Sequence, residues 1–597
     1  MAHHPILPVL SSCPLHLLTA AAFIHHHHII LHSLPSISIP TPMSKSKLTT
    51  TTTTTRWLPP KLLIAALSTT LLLIWVIDTS TLHFPPRPHP PHYLGTFSPL
   101  NTTITTATIT TTSAHTWLSI PFPPNYTSTL ISRWLSSDDS RTTSIFIPGL
   151  DDDTVPNIKL LAGKVHEFLI LALDDSGQPR SFGGDYFETD LSSHSWKSRP
   201  PVTDLGNGTY SFQLQIHPNF SGTFNFTVVL LFRSFEGLKF SPQRFKFHKQ
   251  LRNIRIDFYR EEEETSSLSP SMELCKGSDF FRELWTGRWT RHGKRMNSSS
   301  PSCDVDDSGR YRCLELDFPC ETPWCNGPIG ALESDGWVYS AHCSFRIFTQ
   351  DLAWNCLDRK WLFFWGDSNH VDTIRNLLNF VLGLPEIKSV PRRFDLRFAN
   401  PKNLSQTVRI TSIFNGHWND SMNYLGLQSL KNKEFRELIW KYFLEDQVPD
   451  VLILNSGLHD GVYWSSIRAF VGGAEFAAGF WDEIVRHVRM KRNDTRVFYR
   501  TTIATGGYAR DMAFNPNKME AFNGVFLEKL KEKGLLNGGV IDDFDMTFPW
   551  HFDNRCNDGT HYGRAPAKAR WRDGLVGHQY FVDLMLAHVL LNAVCVH

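Results

Sequence analysis

"WLFFWGDSNHVDTIRNLLNFVLG", Trp361 to Gly383, decides how the chain folds. Five aromatic and aliphatic residues run into Gly366, Asp367 and Ser368. After them Val371, Ile374, Leu377, Leu378 and Val381 recur at three- and four-residue steps until Gly383 and Pro385. An apolar run with no polar alternation is a strand buried on both faces, and the three-four spacing is a helix. The triplet between them therefore sits on a strand-to-helix turn.

The same texture continues outward. An amphipathic helix, "SLKNKEFRELIWKYFLEDQ", precedes a strand, "VLILN" (Val451 to Asn455). "RVFYRTT" from Arg496, a helix in "NKMEAFNGVFLEKLKEKG" and a strand in "GVID" follow. Apolar strands alternating with helices predict an α/β domain with a parallel sheet covered on both sides, over residues 361–597. Such sheets carry their sites at the carboxyl ends of the strands, where Ser368 falls.

A serine hydroxyl is a weak nucleophile until a base takes its proton, and that base needs an orienting acid. "CNDGTHYG" supplies both: Asp558 and His561, three residues apart, lie on one side of a turn. Ser368, Asp558 and His561 are therefore the candidate catalytic set. The backbone N–H of Ser368, with Asn455 and Gly416 (in "FNGHW"), are the candidate donors to an oxyanion. His370, His417, His459, His551 and His561 are scattered, without the i, i+4 pairing or cysteine clustering of a zinc site, so neither metal nor cofactor is expected.

At 597 residues the chain exceeds one core, and 59 Lys+Arg against 58 Asp+Glu give no pull toward nucleic acid. The first 61 residues carry "HHHH", a threonine run and many prolines, and are read as a disordered cytosolic segment; Met43, opening "MSKSK", is a second candidate start beside Met1. Residues 62–77 are uncharged and as helix span roughly 24 Å, short for an average bilayer but suited to a thin early-secretory one. Lys45, Lys47, Arg56 and Lys61 precede them, and no small-x-small cleavage site follows Ile77. These features predict an uncleaved single-pass type II anchor with the bulk lumenal.

Nine Asn-x-Ser/Thr sequons lie beyond it, at Asn101, Asn125, Asn207, Asn219, Asn225, Asn297, Asn403, Asn419 and Asn493. Nine of the ten cysteines also lie there, six of them from Cys275 to Cys343, as in an oxidising compartment. Nine is odd, so one thiol is free or pairs between chains.

Residues 78–128 read as a Pro/Thr-rich stalk. From 129 to 260 the pattern is β: "YSFQLQI" puts Tyr210, Phe212, Leu214 and Ile216 on one face, and "FNFTVVLLF" does the same with Phe224, Phe226, Val228, Leu230 and Phe232. A β-sandwich follows, cysteine-free and held by packing. Residues 261–360 are a Cys-rich linker region expected to pack on the α/β domain.

"LALDDSGQPRSFGGDYF" followed by "VTDLGNGTYSFQLQI" resembles the filamin-type immunoglobulin module of the neurexophilin-and-PC-esterase (NXPE) proteins, through Asp174, Gly177, Gly183, Gly184, Asp185, Asp204, Asn207, Gly208, Thr209 and Tyr210. These are mostly turn residues, read as hairpin chemistry rather than a binding site. "GRW", "GDS", "VLILNSG", "VFYRTT" and a terminal Asp-x-x-His follow in the order of SGNH/GDSL-type hydrolases. They resemble the PC-esterase branch that includes the trichome-birefringence-like plant acetyltransferases. Two departures stand out: Asn455 precedes Ser456-Gly457 where the SGNH pattern has Gly before its Asn, and His370 stands where those sequences tend to carry an Arg.

The resemblance, over roughly residues 130–597, implies Ser368 as nucleophile, His561 as base and then acid, and Asp558 as orienting carboxylate. It implies a Golgi O-acetyltransferase with an acyl donor and a glycan or polysaccharide acceptor. The same residues also serve a carbohydrate acetylesterase. A reading of another class is a non-catalytic binding or adhesion glycoprotein, since neurexophilins are ligands.

Overall fold

The computed structural model describes residues 117–136, 140–151, 158–261, 273–291, 337–385, 387, 390–416, 425–552, 557–562 and 579–595. The expected cytosolic segment, anchor and most of the stalk lie outside them, as do Asn101, Asn297, Asn419 and His417. Among the described residues no helix is long and apolar enough to cross a membrane.

The α/β domain is built on a six-stranded sheet. Its strands are β1 (Trp361–Gly366), β2 (Arg393–Asn400), β3 (Asn403–Phe414), β4 (Val451–Leu454), β5 (Arg496–Arg500) and β6 (Gly539–Ile541). Their order is β2-β3-β1-β4-β5-β6; all are parallel except β2, which pairs antiparallel with β3. The sheet is thus mixed rather than purely parallel. Every residue of β1 is buried. Phe363 and Trp365 point to one face, against Phe443 and Trp481, while Phe364 points to the other, against His370.

The helices are α1 (Ser368–Asn376), α2 (Lys433–Leu444), α3 (Ile467–Lys491), α4 (Pro516–Glu532) and, at the C-terminal end, α5 (Gln579–Cys595). Phe443 belongs to α2 and Trp481 to α3, so these cover one face. The three-four spacing after Ser368 continues past α1 as a π-helical turn over Leu377–Val381. Two disulfides are described, Cys275–Cys343 and Cys356–Cys595; the second ties the helix Gln350–Leu357, which leads into β1, to α5. The other five cysteines beyond the expected anchor lie outside the described residues.

Helix α5 is apolar on every side and fills the core, yet it carries one carboxylate. Asp583 accepts from Thr373 Oγ1 at 2.7 Å and from the Asn376 amide, both on α1. Burial pushes this carboxyl up to about 6; Arg500 opposes the shift and Asp372 adds to it. The folded value lies above the ~4 of an exposed aspartate, so the native state holds the extra proton between the two, and stability falls as pH rises through that window. Asp583→Asn keeps the shape, and Asn376 can turn its unpaired Oδ1 inward to meet the new amide. Melting temperatures are expected to fall less between pH 5 and 7.5 in Asp583→Asn than in the wild type.

The other large unit is a two-sheet β-sandwich, with sheets of four and seven strands. The faces read from the sequence are its core: Tyr210, Phe212, Leu214, Ile216, Phe224, Phe226, Val228 and Leu230 are buried together. Phe232, the last of the alternating set, leaves that core for the one under the α/β sheet. Asp204 accepts from the N–H groups of Gly184 and Gly206 at 2.8 and 2.7 Å, which is turn chemistry, as read.

Three boundaries differ from expectation. Tyr126–Leu135, which spans the expected boundary between stalk and sandwich at 128/129, is a helix lying on the α/β domain; Thr127 N–H donates to Glu528 of α4 at 3.0 Å. Trp117 and Leu118, assigned to the stalk, are fixed by bonds to Thr286 O and Gln215 Oε1. The Cys-rich region contributes Arg288–Arg291 and Trp337–Ser340 to the seven-stranded sheet. It also docks "LWTGRW" onto the α/β domain: the N–H groups of Trp285 and Gly287 reach the buried carboxylates of Asp542 and Asp545 at 3.0 and 2.8 Å, and Trp289 Nε1 reaches Met546 O at 2.8 Å.

Candidate active site

Strand β1 lies inside its sheet, with β3 on one side and β4 on the other, and the strand order changes direction there. In sheets of this kind sites lie beyond the carboxyl ends of the strands at such a point, which is where Ser368 stands. Asp367 caps α1 there, its Oδ1 accepting from Asn369 N–H at 2.9 Å. A Cβ on Gly366 would come within 2.0 Å of His370 Nδ1, which is why the residue before Asp367 has no side chain. Ser368 is thereby the first residue of α1, half-buried, and its N–H is one of the helix amides without an intrahelical acceptor.

Ser368 Oγ lies 2.7 Å from His561 Nε2, across 193 residues. His561 Nδ1 lies 3.1 and 3.0 Å from the two oxygens of Asp558. A carboxylate accepting at Nδ1 keeps the proton there and leaves Nε2 free to accept from the serine. The Asp558 carboxylate is itself fixed, accepting from the N–H groups of Thr560 and His561 at 3.1 and 2.8 Å. Burial would raise this carboxyl, but the bond and charge of His561 and the two amides outweigh it and hold it below the usual range. Gly559, at φ 103°, lets the turn between Asp558 and His561 close. Asn369 Nδ2 ties α1 to the turn through Thr560 O at 3.1 Å. Side-chain exposures of 13% for His561 and 24% for Asp558 leave the group reachable.

The other two expected oxyanion donors stand at the same end of the sheet as Ser368. Asn455 directly follows β4, and one N–H of its Nδ2 donates to Arg500 O at 3.0 Å, which fixes the side chain and leaves its second N–H as a donor. Gly416 lies two residues beyond β3, at the same end of the sheet, and is buried. His370 is fully buried. It is enclosed against Phe364, and burial, helped by Arg500, holds it well below the usual imidazole range. Where the resembled sequences carry a cation, this chain has a neutral ring inside the core.

Sequence reading missed a polar shelf next to the site. Asn415 Nδ2 donates to Ser456 Oγ at 3.0 Å, His459 Nδ1 lies 3.2 Å from Asn415 Oδ1, and Ser456 Oγ reaches the buried Asp460. Burial pushes His459 down to about 4, and the charges of Asp367 and His561 act on it. The run "NSGLHD" after a buried strand was the available signal. Among the described residues the one metal-capable group, Asp279, His342 and Cys343, includes a disulfide sulfur. The sequon residues Asn125, Asn207, Asn225, Asn403 and Asn493 are all exposed, and the backbone at Asn219 forms a 3-10 turn.

No family model and no curated protein matches the chain. Among solved structures it is similar to an acetyl xylan esterase from Geobacillus stearothermophilus, at 12% identity over 40% of this chain and 95% of that one, with a TM-score of 0.23. It is similar in the same degree to an α/β hydrolase from the metagenome of Lake Arreo, over 40% of this chain and 97% of that one, again at 12% identity and a TM-score of 0.23. A glycoside hydrolase described as putative, from Bacteroides vulgatus, is similar at 6% identity over 62% of this chain and 54% of that one, with a TM-score of 0.15. At such scores the chemistry is read from this chain's own residues.

Proposed function

We propose that the protein transfers an acyl group through an ester on Ser368, with a glycan hydroxyl as acceptor. The observation that carries this reading is the continuous line from Ser368 Oγ through His561 to Asp558 at the carboxyl end of β1. Ser368 Oγ attacks the carbonyl carbon of an O-acyl donor while His561 Nε2 takes its proton. The C–O bond to the leaving alcohol breaks, and His561 returns the proton to that alcohol. The sugar hydroxyl then attacks the acyl-serine, with His561 again as base, and the proton ends on Ser368 Oγ. The Ser368 N–H is the first donor to the oxyanion. The Gly416 N–H is the second, and Asn455 is a third: its Nδ2 carries two N–H donors, of which Arg500 O takes one.

The PC-esterase resemblance, including its trichome-birefringence-like acetyltransferases, supports carbohydrate as the acceptor. An anchored, lumenal position in the Golgi, with no nucleic-acid partner, belongs to the same proposal, as does membership of the NXPE proteins. Water in place of the sugar makes the same residues an acetylesterase. Incubating the purified protein with a labelled acetyl ester and a panel of glycans separates these outcomes. Label on sugar is the expected result, and free acetate alone means an esterase. Neither product, in folded protein, means a binding glycoprotein and overturns the reading.

A further inference from the structure

We propose that Glu188, on the β-sandwich, is a positioning residue for the Asp558–His561 turn, an inference that rests on the acyl-transfer reading above. Glu188 lies in the strand Tyr186–Ser192 and is completely buried. Its carboxylate meets two groups of the α/β domain. Arg510 Nε donates to Oε1 at 3.2 Å and Nη2 donates to Oε2; His551 Nε2 lies 2.9 Å from Oε1. These partners are 322 and 363 residues away in the chain. Burial works against the carboxylate, but Arg510 and His551 prevail and hold it at about 2, so it is charged throughout the working range.

The two partners stand on the two segments that grip the turn. On the Arg510 side, Gly506 N–H donates to Gly559 O at 2.9 Å, and Ala504 O accepts from Tyr562 Oη–H at 2.7 Å. On the His551 side, Trp550 O accepts from Asn557 Nδ2 at 3.2 Å. The segments are joined to each other by Gly507 N–H donating to His551 O at 3.1 Å. There is no slack between them: a Cβ on Gly506 would lie 2.5 Å from the Asn557 amide. Gly559 sits between Asp558 and His561, so a carboxylate supplied by the sandwich closes the ring of bonds that sets where the imidazole stands. Catalytic rate is steep in that placement, since a shift of about 1 Å can lower it about a hundredfold.

A second cross-unit ion pair provides the control. Arg199 Nη2 donates to both oxygens of Glu520 at 2.6 and 2.7 Å, but Glu520 stands on α4 and on neither gripping segment. The full chain, its Glu188→Gln variant and its Glu520→Gln variant are compared by fluorophosphonate labelling of Ser368 and by kcat and KM on an aryl acetate. The expected result is that Glu188→Gln lowers kcat and labelling rate ten- to a hundredfold with KM within twofold, while Glu520→Gln keeps wild-type kcat. Should Glu188→Gln fail to fold, Arg510→Lys, which keeps the charge and gives up one contact, is read in the same way. Equal losses in the Glu188 and Glu520 variants mean a merely structural role and overturn the inference, as does wild-type kcat in Glu188→Gln. Absence of labelling in the wild type sinks the acyl-transfer reading and this inference with it, whereas unchanged labelling in Glu188→Gln sinks the inference alone.

Discussion

Asp558→Asn is expected to slow turnover of an acyl ester about 10⁴-fold, and Ser368→Ala or His561→Ala about 10⁶-fold, the scale of losses when members of such a unit are removed singly. The asymmetry follows from what each atom does. Without the serine hydroxyl there is no nucleophile, and without the imidazole its proton has nowhere to go. Asp558→Asn is subtler. Oδ1 would stay a carbonyl oxygen and keep its bonds to the N–H groups of Thr560 and His561, so the turn survives. The new amide would face His561 Nδ1 as a donor, pushing the ring proton to Nε2, where it points at Ser368 Oγ and blocks proton removal. Single-turnover rates on an aryl acetate, with near-UV circular dichroism as the check on folding, measure the series. An Asp558→Asn rate within tenfold of the wild type contradicts this role.

The second large effect concerns stability. Opening Cys356–Cys595, which closes a span of 239 residues, is expected to cost roughly 5 kcal/mol on the loop-entropy estimate, at the upper end for disulfides. The bond fixes α5, and α5 in turn holds α1 through Asp583, Thr373 and Asn376. Because α1 begins at Ser368, the disulfide acts on the site as well as on the core. Cys356→Ser with Cys595→Ser is expected to lower the denaturation midpoint strongly, and reductant to do the same to the wild type. Midpoints unchanged in both would show that packing alone holds α5.

The residues of β1, β4, β5 and β6 announce themselves because strands buried on both faces are continuous apolar runs, and Ser368 could be placed from the first of them. The hairpin β2–β3 was not read, although β3 is the parallel neighbour of β1. Its strands carry Arg393, Asp395, Arg397, Arg409 and other polar groups, which breaks the apolar run. Helix α5 escaped for the opposite reason: apolar all round, it has no amphipathic period to detect. The helix Tyr126–Leu135 escapes a boundary drawn at 128/129 because its apolar face serves the α/β domain rather than its sequence neighbours. At the site, Asp558 and His561 were legible because a three-residue spacing is local chemistry. The engagement of Asn455 by Arg500 and the bond of Glu188 to Arg510 are set by packing between distant segments, and no local pattern encodes them.

The central claim is that Ser368 is activated by His561 above the sheet, and covalent trapping tests it most directly. The purified protein is treated with a fluorophosphonate, digested, and its peptides weighed by mass spectrometry. The prediction is one adduct, on the peptide bearing Ser368, lost in both Ser368→Ala and His561→Ala. An adduct that survives Ser368→Ala, or none at all in folded wild-type protein, would contradict it.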